Sequence, residues 1–319
     1  MEDGVWSTEW RKGKLRIYGT FRASRPALVT IRIAPDVTKR VPAVESAEGL
    51  FSFTFAFGRS SLVRFPNSAD IDLEVEGAAL AHSSGPHHFQ VEVEQGDGTL
   101  RRWLDDGYII NKWGQLKLPI SLKPEWGRQV LALYEEFSDY FEDRFQRRPL
   151  FIAGTLLGLV RENNFLPFDD DMDVGYFSDL TEPEAVRDEM FEMLKTMKRD
   201  GLQVKVGHNG GFYKLGSSGV DFDVFPSWYY RDRIWHPQSE SMPSDPSLMH
   251  PPRPVDFLGA RVFIPNRPED YLALHYGENW RIPDPHYVER KAPGVLKVLS
   301  RARLTDEQRE EIAKTRRKK

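Results

Sequence analysis

The sequence predicts an α+β protein in two parts: an amino-terminal all-β sandwich of immunoglobulin-like type, then a domain of mixed sheet with flanking helices. Three observations carry this expectation. Before residue 115 apolar residues alternate with period two, after residue 122 helical spacing appears between short strands, and no internal repeat is visible. The expected domains are 1–115 and 122–319, joined between Gly114 and Lys123.

The first part reads as strands at 15–21, 28–33, 51–55, 71–75 and 89–93. Turn formers such as Ser24, Pro26, Asn67, Gly85 and Pro86 separate them. Short strands with one wet face and frequent turns fit a two-sheet sandwich. In the second part Val130, Leu131, Tyr134, Phe137 and Phe141 mark one face of a helix at 124–145. A strand at 150–153, a helix at 155–163, a strand at 172–176 and a helix at 183–199 follow. Strands are expected at 204–206, 212–215 and 221–225, and closing helices at 268–276 and 306–314. Thr305 and Gln308 have the spacing of a capping box at the start of the last.

Composition narrows the function. Aromatic residues make up 12% of the 319, enough for a sizeable core, and the mean hydropathy is −0.52. The longest near-apolar run, 150–160, is too short for a transmembrane segment, which needs about 20 residues. There is no cysteine, which excludes disulfides, thiolate metal sites and a thiol nucleophile. Residues 1–120 carry 15 basic and 15 acidic side chains, and the net charge of −4 lies in the remainder. Neither part has the basic excess of a nucleic-acid binder, so no nucleic-acid partner is expected. The acidic start, Met1 to Gly4, does not read as a signal peptide, and a soluble cytoplasmic protein is expected. The basic end, Arg316 to Lys319, reads as a solvated tail, with peripheral contact to anionic lipid at the inner face of the membrane as the alternative.

The chemistry concentrates in two acidic strands. Asp169, Asp170, Asp171 and Asp173 fall within five residues. On a strand Asp171 and Asp173 share one face while Met172 and Val174 point to the core, a poor pattern for a merely solvated loop. Asp221 and Asp223 repeat the device between Val220, Phe222 and Val224. Paired strands would converge these carboxylates into a hard-oxygen pocket for Mg²⁺ or Mn²⁺. Gly154 and Thr155 stand where a strand runs into a helix, a place for a phosphate on free backbone N–H groups. Ordinary helix capping accounts for that pair equally well. Arg161 is a candidate phosphate ligand through its planar fork. Lys214 is a further candidate, read first as a surface lysine.

Together these residues resemble a family. Gly154 to Gly158, Val160-Arg161, Phe165 to Asp173 and Asp223-Val224-Phe225-Pro226 are similar to the signature of the LicD and fukutin-related phosphotransferases. Tyr271-Leu272, Tyr276-Gly277 and Trp280 resemble its carboxy-terminal block, so the likeness spans about 125–285. The resemblance implies a nucleotidyltransferase-type fold and Mg²⁺-dependent transfer of a phosphorylated alcohol, such as phosphocholine or ribitol phosphate. The implied donor is CDP-linked and the acceptor a cell-surface glycan or glycolipid. By position Asp171 and Asp173 take the metal-ligand role, Asp169 is a third contributor, and Asp223 matches the later catalytic carboxylate. Asp221 lies beside the match. Phe168 stands where the family usually has Trp, and the absence of cysteine favours the bacterial branch. The competing readings are a nucleotidyltransferase that makes a CDP-alcohol from CTP, a glycosyltransferase with an Asp-x-Asp metal motif, and a glycan-binding protein with an inactive enzyme domain.

Overall fold

The computed structural model describes residues 4–33, 37–236, 240–284 and 294–316. The expectations for the first three residues and for 317–319 lie outside them. The chain divides into two compact units, Met1–Leu122 with Pro283–Glu289, and Lys123–Ile282 with Arg290–Lys319.

In the first unit β1 (Val5–Arg11), β2 (Lys14–Arg22), β5 (Val44–Ala47), β6 (Leu50–Phe57) and β9 (Ala81–His82) form one sheet in the order β5-β6-β2-β1-β9. The second sheet takes β3 (Leu28–Ile33), β4 (Val37–Pro42), β7 (Ser68–Val75) and β10 (His88–Glu92) in the order β10-β7-β3-β4, with β8 (Ala78–Ala79) beside β7. Alternation explains the layering. Trp6, Ile17 and Phe57 from one sheet and Val29, Ile31 and Leu73 from the other enter a single buried cluster. The unit is not purely β: α1 (Arg59–Leu62) and α2 (Leu100–Asp105) lie between strands, and β11 (Ile109–Ile110) pairs with β12 (Leu116–Lys117).

The second unit is built on one helix and one mixed sheet. α3 (Pro124–Phe145) has proline in its first turn, where no intrahelical N–H is lost, and ends at Gln146 in a left-handed conformation. The sheet joins β13 (Leu150–Phe151), β14 (Asp173–Ser178), β15 (Gln203–Val206), β16 (Tyr213–Ser217) and β17 (Val220–Tyr229) in the order β13-β14-β17-β16-β15. β14 and β17 run parallel and the other neighbours antiparallel. Tyr134, Phe137 and Phe141 of α3 meet Phe151, Tyr176 and Phe222 of the sheet, ring against ring. Burying each such side chain contributes about 1.5–3 kcal/mol. Because Tyr176 and Phe222 turn toward α3, Asp173 and Asp223, one residue out of phase with them, take the opposite face.

The rest of the unit consists of α5 (Pro183–Asp200), the hairpin β18 (Arg233–His236) with β19 (Glu240–Pro243), the hairpin β20 (Arg253–Phe257) with β21 (Ala260–Ile264), and α6 (Pro268–Tyr276), α7 (Val295–Arg301) and α8 (Asp306–Lys314). Thr305 and Gln308 close the capping box of α8 reciprocally. The helix expected at 155–163 is two pieces, α4 (Ala153–Leu157) and a π-helical turn, Gly158–Glu162. β14 opens at Asp173, which leaves Asp171 just ahead of the strand rather than within it.

Candidate active site

Asp173 and Asp223 are register partners across the parallel strands β14 and β17. The Asp223 N–H donates to the Met172 carbonyl at 2.9 Å, locking that register at the carboxylates. Val174 is fully buried, so alternation along β14 turns Asp173 away from the core, and Asp171, just ahead of the strand, lies beside it. Ligand oxygens of Asp171, Asp173 and Asp223 all lie within 4.8 Å of one another. Three hard oxygen donors at that spacing fit a divalent cation such as Mg²⁺.

Lys214 is part-exposed, as expected of a surface lysine, but its ammonium is not idle: it pairs with Asp223 and, at 3.4 Å, with Asp221. The reason is the β16–β17 hairpin. Its two-residue turn, Ser218 (φ 50°) and Gly219 (φ 89°), has the positive dihedrals of a tight hairpin turn. From that turn the register places Ser217 opposite Val220 and Lys214 opposite Asp223. A Ser-Gly pair between two alternating strands is the signal that finds it in the sequence, by counting outward. Asp221 is largely exposed, while Asp223 is buried. Burial pushes the Asp223 carboxyl above its ordinary range; Lys214 opposes that shift, and Asp171 and Asp221 add to it. For Lys214 burial works downward, but its bonds and charge pairing with Asp223 and Asp221 outweigh it, and the ammonium is held above its usual value.

At the Gly-Thr turn the threonine hydroxyl is engaged inside the fold. Thr155 is buried, and its Oγ1 accepts the Asp173 N–H at 2.8 Å, so the hydroxyl braces the start of β14. Ala153, at the head of α4, has a left-handed φ of 46°, and its N–H reaches the Tyr271 hydroxyl at 3.4 Å. A Cβ on Gly154 would sit 2.9 Å from a carboxylate oxygen of Asp169. Asp169 therefore packs beside the Gly-Thr turn and does not belong to the group formed by Asp171, Asp173 and Asp223. Gly158 has a firmer reason: a Cβ there would lie 2.6 Å from the Asn164 carbonyl oxygen. The absence of a side chain lets the chain fold back over the π-helical turn and deliver the acidic run to the sheet. Arg161 is held by Glu162 at 2.7 Å and by the Trp280 carbonyl at 3.2 Å, and neither partner is a site carboxylate.

Residues 150–267 match the family described as LicD/FKTN/FKRP, nucleotidyltransferase domain. The matched stretch holds all the carboxylates above, and Tyr271, Tyr276 and Trp280 lie beyond it. A human protein named ribitol-5-phosphate transferase FKTN is 23% identical over 152 residues, covering 44% of this chain and 31% of that protein. Its mouse counterpart is 23% identical over 142 residues, 41% of this chain and 29% of that protein. An uncharacterized protein of Rickettsia typhi is 27% identical over 158 residues, covering 47% of each. The chain thus spans about a third of the length of the fukutins it matches. Residues 150–267, which hold the carboxylate trio, are thus similar to the nucleotidyltransferase domain of the LicD/FKTN/FKRP family.

Proposed function

We propose that the second unit transfers a phosphorylated alcohol, such as phosphocholine or ribitol phosphate, from a CDP-linked donor to a hydroxyl of a glycan or glycolipid. The observation that carries this reading is the convergence of Asp173 and Asp223, on adjacent parallel strands, with Asp171, just ahead of the first of them, inside the family-matched segment. Asp171 and Asp173 would hold a Mg²⁺ or Mn²⁺ ion, with Asp223 beside them. Such an ion, when bound, supplies charge neutralisation for a diphosphate. Asp223 takes the proton of the acceptor hydroxyl, whose oxygen attacks the phosphorus joined to the alcohol as CMP leaves. Lys214 positions Asp223 through its ion pair, and Thr155 positions Asp173 through the backbone.

The place of action belongs to the same proposal: the cytoplasm, with the inner face of the membrane for a glycolipid acceptor. Among the described residues no helix is long and apolar enough to cross a membrane. The strand orders of the first unit support reading it as an immunoglobulin-like sandwich. The orders β1-β2-β6-β5 and β10-β7-β3 follow the ABED and GFC connectivity of that fold, with β4 and β9 as added edge strands and the short β8 beside β7.

Incubation with a divalent ion and CDP-choline, CDP-ribitol or CDP-glycerol, followed by mass spectrometry, tests the reaction. Release of CMP with one of these donors is expected. A folded, metal-binding protein that releases CMP from none of them refutes it. Nucleotidyl transfer from CTP is the second reading, favoured by the nucleotidyltransferase description of the matched domain. It is distinguished by pyrophosphate release from CTP.

A further inference from the structure

The first unit carries a cleft of about 850 Å³ that the reaction above does not use. That volume falls within the range of about 300–1,000 Å³ typical of ligand sites. Its walls come from β1, β2, β4 and β6, and four cations line it, Arg16, Lys39, Arg40 and Lys112, with no carboxylate among the lining residues. Glu9 pairs with Arg16 at 2.8 Å, and Lys39, Arg40 and Lys112 still make the cleft a local concentration of positive charge in a charge-balanced unit.

Lys39 is its most telling member. The ammonium is half-buried, donates to the Ile110 carbonyl at 2.6 Å and lies 5.5 Å from the centre of the Phe55 ring. Among the described residues no carboxylate pairs with it, and burial alone pushes it below the ordinary lysine value. A cation taken out of water without a counter-charge is costly, and an incoming anion offsets that cost. The lining hydroxyls, Thr54 among them, add donors and acceptors at the spacing of alternate strand residues. Tyr18 also faces the cleft, but the Arg16 guanidinium covers its ring at 4.8 Å. That face of the ring is taken and cannot stack a nucleobase.

From this lining we infer that the cleft is a binding site for an anionic sugar chain, one whose sugar or sugar-alcohol units are joined or decorated by phosphate. The transferase reading enters only in the choice of probe, and the site is tested without turnover.

Calorimetry of the full chain with a glycerol-phosphate oligomer, in the absence of nucleotide donor and divalent ions, gives the test. Dextran and a single-stranded DNA of equal charge serve as controls. Binding of the oligomer is expected, weakened about tenfold or more by Lys39→Gln and weakened by high salt. Glutamine keeps an N–H donor for the Ile110 carbonyl. Arg40→Gln, at the exposed rim, provides a second variant that leaves the core untouched and is expected to weaken binding less. The proposal is overturned if the oligomer does not bind, if dextran or DNA binds equally well, or if neither substitution changes the affinity. Because no step of this measurement needs CMP release, failure of the transferase reading leaves its outcome unaffected.

Discussion

Lys214 and Asp223 sit directly opposite each other across the β16–β17 hairpin and form an ion pair whose carboxylate also belongs to the trio with Asp171 and Asp173. A cationic side chain is thus built into the edge of an acidic site. It tempers the repulsion among the carboxylates without occupying all of them.

Divalent ions should stabilise the protein. A ligand at a hundredfold excess over its Kd adds about 2.7 kcal/mol, which for a unit of this size is a rise in Tm of about 5–10 °C. Asp171→Asn and Asp173→Asn should each shrink that rise in thermal scans with Mg²⁺ or Mn²⁺. An undiminished rise in both variants places the ion elsewhere.

Asp223→Asn and Asp221→Asn should separate. If Asp223 accepts the acceptor's proton, its loss lowers turnover by about 10²–10⁴-fold. Asp221, largely exposed and 3.4 Å from Lys214, should cost far less. The measurement is the rate of CMP release at saturating donor. The reverse ordering would move the catalytic role by one pleat of β17.

Acidification should destabilise the protein through His236. This imidazole is fully buried against Phe225, and burial, with a smaller contribution from His275, lowers its pKa to about 3. The unfolded chain therefore binds a proton near pH 6.5 that the folded one refuses. The stability contributed by the neutral ring is complete above that value and falls as pH drops from 6.5 toward about 3. Denaturant melts across this window should steepen with acid in the native protein. They should flatten in His236→Phe, and parallel curves would contradict this account.

Gly158→Ala should damage both fold and site. The new methyl would press on the Asn164 carbonyl oxygen and on the Leu166 nitrogen, 3.0 Å away, and both atoms are backbone. Overpacking of this kind costs about 1–3 kcal/mol, visible in the urea midpoint, and metal affinity should fall with it. Gly154→Ala meets the movable Asp169 carboxylate instead and should cost less.

The sequence discloses this molecule unevenly, for physical reasons. Helices α3, α6 and α8 are legible to the residue because proline or a capping box marks the start of each and the apolar spacing carries the rest. The trio is legible because Met172, Val174, Phe222 and Val224 are apolar on a strict two-residue period between the carboxylates. Periodicity does not pick out β1, where Ser7, Thr8 and Glu9 dilute the alternation, nor β20, where Pro254 speaks against a strand. The actual partners of Thr155 and Arg161 are not legible either. Thr155 is claimed by the Asp173 backbone and Arg161 by the Trp280 carbonyl, contacts that exist only once distant segments have folded together.

The Ser218-Gly219 turn has a consequence for how this protein tolerates change. Surface turns are ordinarily where insertions and deletions are absorbed. Here one added residue would shift every pair of the hairpin and turn Phe222 and Asp223 to each other's faces. A library of single-residue insertions should therefore find this wet, two-residue corner as intolerant as the aromatic interior behind it. Point substitutions compatible with its left-handed backbone should pass. The length of the turn, more than its chemistry, is what the site depends on.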